Sequence, residues 1–324
     1  MTLKAPFPYF GGKRHVVDEV WSRLGSPKQY IEPFCGSCAM LFGAREPASL
    51  EVVNDANGFL ANFWRAVKHQ PGEVARAADY PVSHVDLGAR HRWLMEQRDR
   101  LGAEMQDPHW PGDATVAGWW LWGQCSWIGS GWCDWFKADD TGKVPHVGNA
   151  GRGIQATGQV PHVSNAGRGI QATGKVPHVS DAGMGDLLTT GGMAAWVWLH
   201  KLAARLERVR IVHGEWSRCL NNHYGANDTA VFLDPPYKAF ESLYGAGHVA
   251  TDVEAWAREN AHLRVALCGH AGDYDLPGWE LMPWSRPHAT YSGTGTKGAE
   301  AIWFSPACLR PGKRGQLDLL GGAA

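Results

Sequence analysis

The chain has 324 residues, of which 44% are hydrophobic, so one large domain or two small ones can bury a sizeable core. Its formal net charge of −1 excludes a strong, nonspecific polyanion binder, and any basic surface must be local. No apolar run approaches the ~18 residues of a membrane span, and no signal-peptide pattern opens the chain, so a cytoplasmic location is expected.

Seven cysteines, an odd count, fit a reducing compartment. The single C-x-x-C, Cys35-Gly-Ser-Cys38, has no second pair to complete a zinc site, so no metal is expected.

In chain order, Pro6-Phe-Pro-Tyr-Phe-Gly-Gly-Lys13 comes first. Its two glycines allow a tight turn, and an apolar-periodic helix follows through Val16, Val17, Val20, Trp21 and Leu24. A turn opening a helix presents free N–H groups, and Lys13 adds charge, which suits a carboxylate; an ordinary turn before a helix is the competing reading. A short strand then meets Glu32-Pro33-Phe34-Cys35-Gly36, a small-residue loop that lets a ligand approach the backbone. The strand Leu50–Val53 runs into Asn54-Asp55-Ala56-Asn57. Asp55 lies 19 residues past Gly36, the approximate spacing at which an acid meets ribose hydroxyls in nucleotide-binding βαβ units.

Residues 69–190 break this α/β pattern. A charged helix is expected over 86–106. Six tryptophans then fall between 119 and 135. Such aromatics pack a core or, on a loop, stack on bases; Trp127 and Trp132 are the first candidates for DNA contact. A repeat of period 16 follows, Gly142–Thr157, Gly158–Thr173 and Gly174–Thr189, with 14 of 16 positions shared by the first two copies. It reads as an insertion of extended pieces and glycine turns. Arg152 and Arg168 recur at matched positions and suit a DNA backbone, while a solvated insertion without a role fits equally well.

A helix is expected over 191–208 and a strand over 209–212. Glu215 and Trp216 stand where an acid and an indole would meet a cofactor's adenine. Then Val231-Phe-Leu-Asp234-Pro235-Pro236-Tyr237 reads as a buried strand stopped by two prolines. Ligands of open α/β sheets bind at such strand ends. Asp234 and the Pro235 carbonyl suit the two hydrogens of an amino group on a planar base, with Tyr237 on its face. A structural turn is the competing reading. Strands near 264–269, 279–284 and 300–304 follow, and Lys297 sits in a Gly/Thr/Ser-rich loop between the last two.

Taken in order, G-G-K, E-P-F-x-G, N-D-x-N and D-P-P-Y resemble the Dam-type (D12 class) DNA adenine methyltransferases. The resemblance covers roughly residues 6–68 and 209–308. It implies a Rossmann-like class I methyltransferase sheet of about seven strands, the last antiparallel, with a helical, repeat-bearing insertion over 69–208 and a tail from 309. It also implies S-adenosylmethionine held by Tyr9, Gly11, Gly12, Lys13, the Glu32–Gly36 loop (with Pro33 and Phe34) and Asp55, with Asp234 near both cofactor and target. One departure is Cys38, where the family often has glycine. Methylation of cytosine's amino nitrogen and a DNA-binding module without catalysis remain open alternatives. In the tail, Gln316-Leu317-Asp318-Leu319-Leu320 resembles the peptide with which bacterial proteins dock on the replicative sliding clamp.

Overall fold

The computed structural model describes residues 3–7, 9, 12–80, 82–127, 132–136, 191–220, 228–237, 248–284 and 300–310. The 16-residue repeats with Arg152 and Arg168, Gly11, Lys297 and the Gln316–Leu320 peptide lie outside them.

Seven strands form one sheet: β1 Gln29–Glu32, β2 Leu50–Asp55, β3 Val209–His213, β4 Thr229–Leu233, β5 Arg264–His270, β6 Glu280–Trp284 and β7 Glu300–Phe304. Their spatial order is β3-β2-β1-β4-β5-β7-β6. The pairs from β3 to β5 are parallel, and β7 runs antiparallel to both β5 and β6. This is the sheet expected of a class I methyltransferase. The order reverses between β1 and β4, so a crevice is expected at their carboxyl ends.

The strand sequences explain the burial. Parallel strands covered on both faces read as continuous apolar runs, and β4 is buried at every position. Alternate residues then serve opposite layers. Tyr30, Val53, Phe232 and Ala266 join one cluster, whereas Ile31, Val52, Val231 and Leu267 join the other.

The first cluster carries most helices: α1 Val17–Leu24, α2 Ala39–Gly43, α3 Gly58–His69, α4 Pro71–Ala78, α5 His84–Glu96, α6 Arg98–Glu104, α7 Ala114–Ser126 and α8 Gly191–Leu206. The second is covered by α9, Val249–Glu259. The charged helix expected over 86–106 is two. The break falls at Gln97, which keeps right-handed dihedrals while its N–H shifts to the Leu94 carbonyl at 3.0 Å. Arg205 on α8 ties this layer to the sheet, donating to both oxygens of the buried Glu51 at 2.6 and 2.7 Å and to the Leu41 carbonyl at 3.0 Å.

The tryptophan-rich stretch is mostly core. Trp120 and Trp122 on α7 are fully buried. Trp132 is buried too, and its indole donates to the Trp120 carbonyl at 3.0 Å. Gly123 makes room for it, since a Cβ there would stand 1.9 Å from the Trp132 ring. Trp132, offered by the sequence for DNA contact, is therefore placed in the core with its ring packed against Gly123. Trp127 is half-buried and stacks on His91, with centroids 5.6 Å apart and an interplanar angle of 19°. Among the described residues no helix is long and apolar enough to cross a membrane.

Candidate active site

The site is built on the carboxyl edge of β2, β1 and β4. Val53 pairs with Glu32, and Ile31 with Val231. Extending that register brings Asp55, two residues past Val53, level with Asp234, three past Val231. The two acids flank the end of β1 on strands two spacings apart, so about 10 Å separates their backbones.

The loop after β1 is shaped by backbone needs. Gly36 has φ +47° and Cys38 φ +53°, both in the left-handed region. A Cβ on Gly36 would lie 2.5 Å from the Tyr9 ring, so only glycine lets Tyr9 lie against this loop. Cys38 has dihedrals that glycine favours, and it is fully buried. The loop is pinned from three sides. Asp55 accepts from the Gly36 and Asn57 amides at 2.9 Å each. Trp64 donates its indole N–H to the Gly36 carbonyl at 3.0 Å. The Asn54 amide donates to the carbonyls of Pro33 and Gly214 at 2.9 and 3.1 Å.

Asp55 is half-buried, and burial pushes its carboxyl up to about 6, against the opposing pull of those two amides. Each of its oxygens keeps a lone pair beyond the backbone bond it accepts, so hydroxyl donors remain acceptable partners. Phe34, half-buried, stacks on Trp216 at 6.0 Å and 22°. Tyr9 is 42% exposed. An exposed tyrosine, a flat Phe34–Trp216 pair, a glycine-lined turn and a half-buried acid fit an adenosyl group.

One expected contact, Glu32, turns away from the loop. The Glu32 carboxyl group points into the fold, accepting from the Tyr30 hydroxyl at 3.0 Å and the Leu41 amide at 3.2 Å. Its job is to hold α2, and burial lifts its carboxyl to about 8. Glu215 is exposed, and its carboxylate caps its own short 3₁₀ turn, accepting from the Ser217 N–H and hydroxyl.

Asp234 follows β4 directly, with Pro235 buried and Pro236 and Tyr237 half-buried. Its carboxylate meets the Lys13 ammonium at 2.8 Å from each oxygen. Lys13 is only 4% exposed. Burial alone would drive its proton off, but the Asp234 charge and hydrogen bond outweigh that and hold the ammonium above the ordinary lysine range. Lys13 thus serves Asp234, whereas the sequence pointed it at a cofactor carboxylate. Gly12 closes the preceding turn, its N–H meeting the Tyr9 carbonyl at 3.4 Å.

Beside the pair, Tyr237 donates to Glu300 at 3.4 Å and meets His270 edge-on at 4.7 Å. Lys13 lies 5.2 Å from the Tyr237 ring centroid and 5.9 Å from that of Trp284. His270, Glu300 and Trp284 come from three different strands. No linear motif marks them; only the pairing of β5, β7 and β6 brings them together.

Residues 9–90 match the family model of the D12 class N6 adenine-specific DNA methyltransferases. The matched D12 segment holds Lys13, the Gly36 loop and Asp55, while Asp234 reaches the same site from outside it. No curated protein matches the chain. Among the described residues, no cluster of three His, Cys, Asp or Glu is placed to hold a metal ion.

Proposed function

We propose that this protein is a DNA adenine-N6 methyltransferase that takes its methyl group from S-adenosylmethionine. The observation that carries the reading is the Lys13–Asp234 pair at the reversal point of the sheet, level with Asp55 and contributed in part by a D12-matched segment. Tyr9, the Pro33–Gly36 loop, Asp55 and the Phe34–Trp216 pair would hold the cofactor, which supplies an activated methyl group when bound.

The rest is the work of the chain's own residues. Asp234 and the Pro235 carbonyl accept the two hydrogens of the target amino group, turning its lone pair toward the donor. Tyr237 stacks on the extruded base. Lys13 keeps Asp234 ionised and fixed, so that its oxygens serve only as acceptors. Orientation of this kind contributes roughly 7–11 kcal/mol of barrier reduction in well-aligned systems. Residues 69–208 form the insertion that reads DNA, with Trp127 its remaining aromatic candidate among the described residues.

The test is transfer of tritiated methyl from S-adenosylmethionine to plasmid DNA, followed by mass analysis of the digested nucleosides. N6-methyladenine is expected. Asp234→Ala should abolish transfer while cofactor binding weakens by less than about tenfold. Normal turnover by that variant, or methylation of cytosine alone, would defeat the proposal.

A further inference from the structure

We propose that Glu300 is a positioning residue for methyl transfer: its carboxylate anchors the Tyr237 hydroxyl and so fixes the plane in which that ring meets the extruded base. This rests on the methyltransferase reading and goes beyond it, because Glu300 belongs to none of the four motifs and lies far outside the D12-matched segment.

Tyr237 needs an anchor. Pro235 and Pro236 lock their own φ angles, but Tyr237 follows them without a ring in its backbone, and residues 234–237 belong to neither strand nor helix. No backbone ladder sets where the Tyr237 ring points, so contacts of its side chain must do so. Two such contacts are in place. The ring meets the His270 imidazole edge-on, with 4.7 Å between centroids and 76° between planes. The hydroxyl donates to Glu300 Oε2 at 3.4 Å. The imidazole supports the body of the ring, and the carboxylate ties its tip. A charged acceptor holds a hydroxyl more firmly than a neutral one, and hydrogen bonds of this kind tighten when a site closes on its substrate.

The sheet explains why this acid is at hand. β7 runs antiparallel to β5 and β6, so it begins at the edge where the parallel strands end. Its first residue, Glu300, pairs with His270 at the end of β5 and with Trp284 at the end of β6. Directly paired residues of antiparallel strands share a sheet face, so the three side chains form one row beside Tyr237. Glu300 is half-buried, and its charge is among those that hold the Lys13 ammonium, which places its carboxylate on the side of the site.

The consequence separates rate from affinity. A reacting group displaced by about 1 Å loses on the order of a hundredfold in rate. Affinity for DNA is set largely by phosphate contacts, which Glu300 does not supply. Loss of the anchor therefore falls on kcat and leaves KM for DNA nearly unchanged.

The experiment measures kcat and KM for tritiated methyl transfer to plasmid DNA, with S-adenosylmethionine binding by calorimetry as the check on folding. The variants are Glu300→Ala, Glu300→Gln, Tyr237→Phe and Tyr237→Phe combined with each change at Glu300. Tyr237→Phe keeps the ring and removes only the hydroxyl. Glu300→Ala and Tyr237→Phe are each expected to lose about tenfold in kcat, with KM for DNA within about threefold of the parent. Because both remove the same bond, the Tyr237→Phe/Glu300→Ala protein should lose no more than the worse single variant. Glu300→Gln keeps an acceptor oxygen and should stay within about threefold of the parent. Parent-like kcat in Tyr237→Phe or Glu300→Ala would overturn the assignment. So would losses that multiply in the double variant, or a Glu300→Gln protein that binds cofactor normally yet turns over as slowly as the alanine variant. If Glu300→Ala loses cofactor binding, Tyr237→Phe is compared with Tyr237→Phe/Glu300→Gln, and a further loss in the latter overturns the role. A parent protein that methylates no DNA would instead remove the underlying reading, and the anchor's role with it.

Discussion

Replacing Lys13 with methionine isolates the interaction on which the site is built. The ammonium is almost fully buried and lies 2.8 Å from both oxygens of Asp234, whose side chain is 20% exposed. At an effective dielectric of about 20, two unit charges at that separation attract by roughly 6 kcal/mol. Desolvation of the ammonium opposes much of this, so the pair's net contribution is far smaller than its attraction. Removing one partner is another matter, because it leaves a carboxylate in a site built for its counter-ion. Such losses run to about 3–5 kcal/mol, and water reaching the open fifth of Asp234 places this one near the lower end. Urea unfolding at pH 7.5 should therefore show Lys13→Met less stable than the parent by about 3 kcal/mol. Lys13→Met/Asp234→Asn should recover part of that loss, with a coupling of about 2 kcal/mol in the double-mutant cycle. The sign with pH follows from the raised lysine value. The pair's stabilisation is complete below the unfolded lysine value near 10.5 and fades as pH rises through the higher folded one. A loss below about 0.5 kcal/mol, or single losses that simply add, would refute the reasoning, because two charges so placed must be coupled.

Two further outcomes follow from the same geometry. Glu32 keeps its proton up to about pH 8 in the fold, against an ordinary value near 4.5, so its contribution is full below pH 4.5 and declines up to pH 8. Glu32→Gln cannot ionise, and between pH 5 and 8 it should lose less stability than the parent, by up to about 1.4 kcal/mol per pH unit; identical pH dependence in urea unfolding would contradict the burial argument. At Cys38, the left-handed backbone penalises any Cβ by roughly 1 kcal/mol, so Cys38→Gly should be more stable than Cys38→Ala by about that amount. Equal melting temperatures for the two variants would show that the backbone there carries no such penalty.

Much of the architecture was legible without coordinates. Buried parallel strands are apolar throughout, and prolines and glycines must stand where chains turn, so the runs before Glu32, Asp55 and Asp234 announced themselves. The glycine loop and its acid 19 residues on follow from local chain geometry, and the structure joins Gly36 to Asp55 directly. The tryptophans of the middle stretch were ambiguous because composition does not say which side of a helix faces α3; burial of Trp132 against Gly123 was settled only by packing.

What the sequence could not hold was partnership across distance. Lys13 and Asp234 are separated by 221 positions, and nothing local distinguishes a lysine waiting for a cofactor from one already neutralised. Glu32 belonged to the loop that the resemblance assigned to the cofactor, yet a hydroxyl two residues back and an amide nine residues on take its carboxyl group. His270, Trp284 and Glu300 belong to strands whose order in space differs from their order in the chain, so their row exists only once β7 has inserted between β5 and β6. Short-range steric rules write the strands and turns into the sequence itself. Which charges and rings finally meet is decided by strand pairing, a property of the whole sheet and not of any segment.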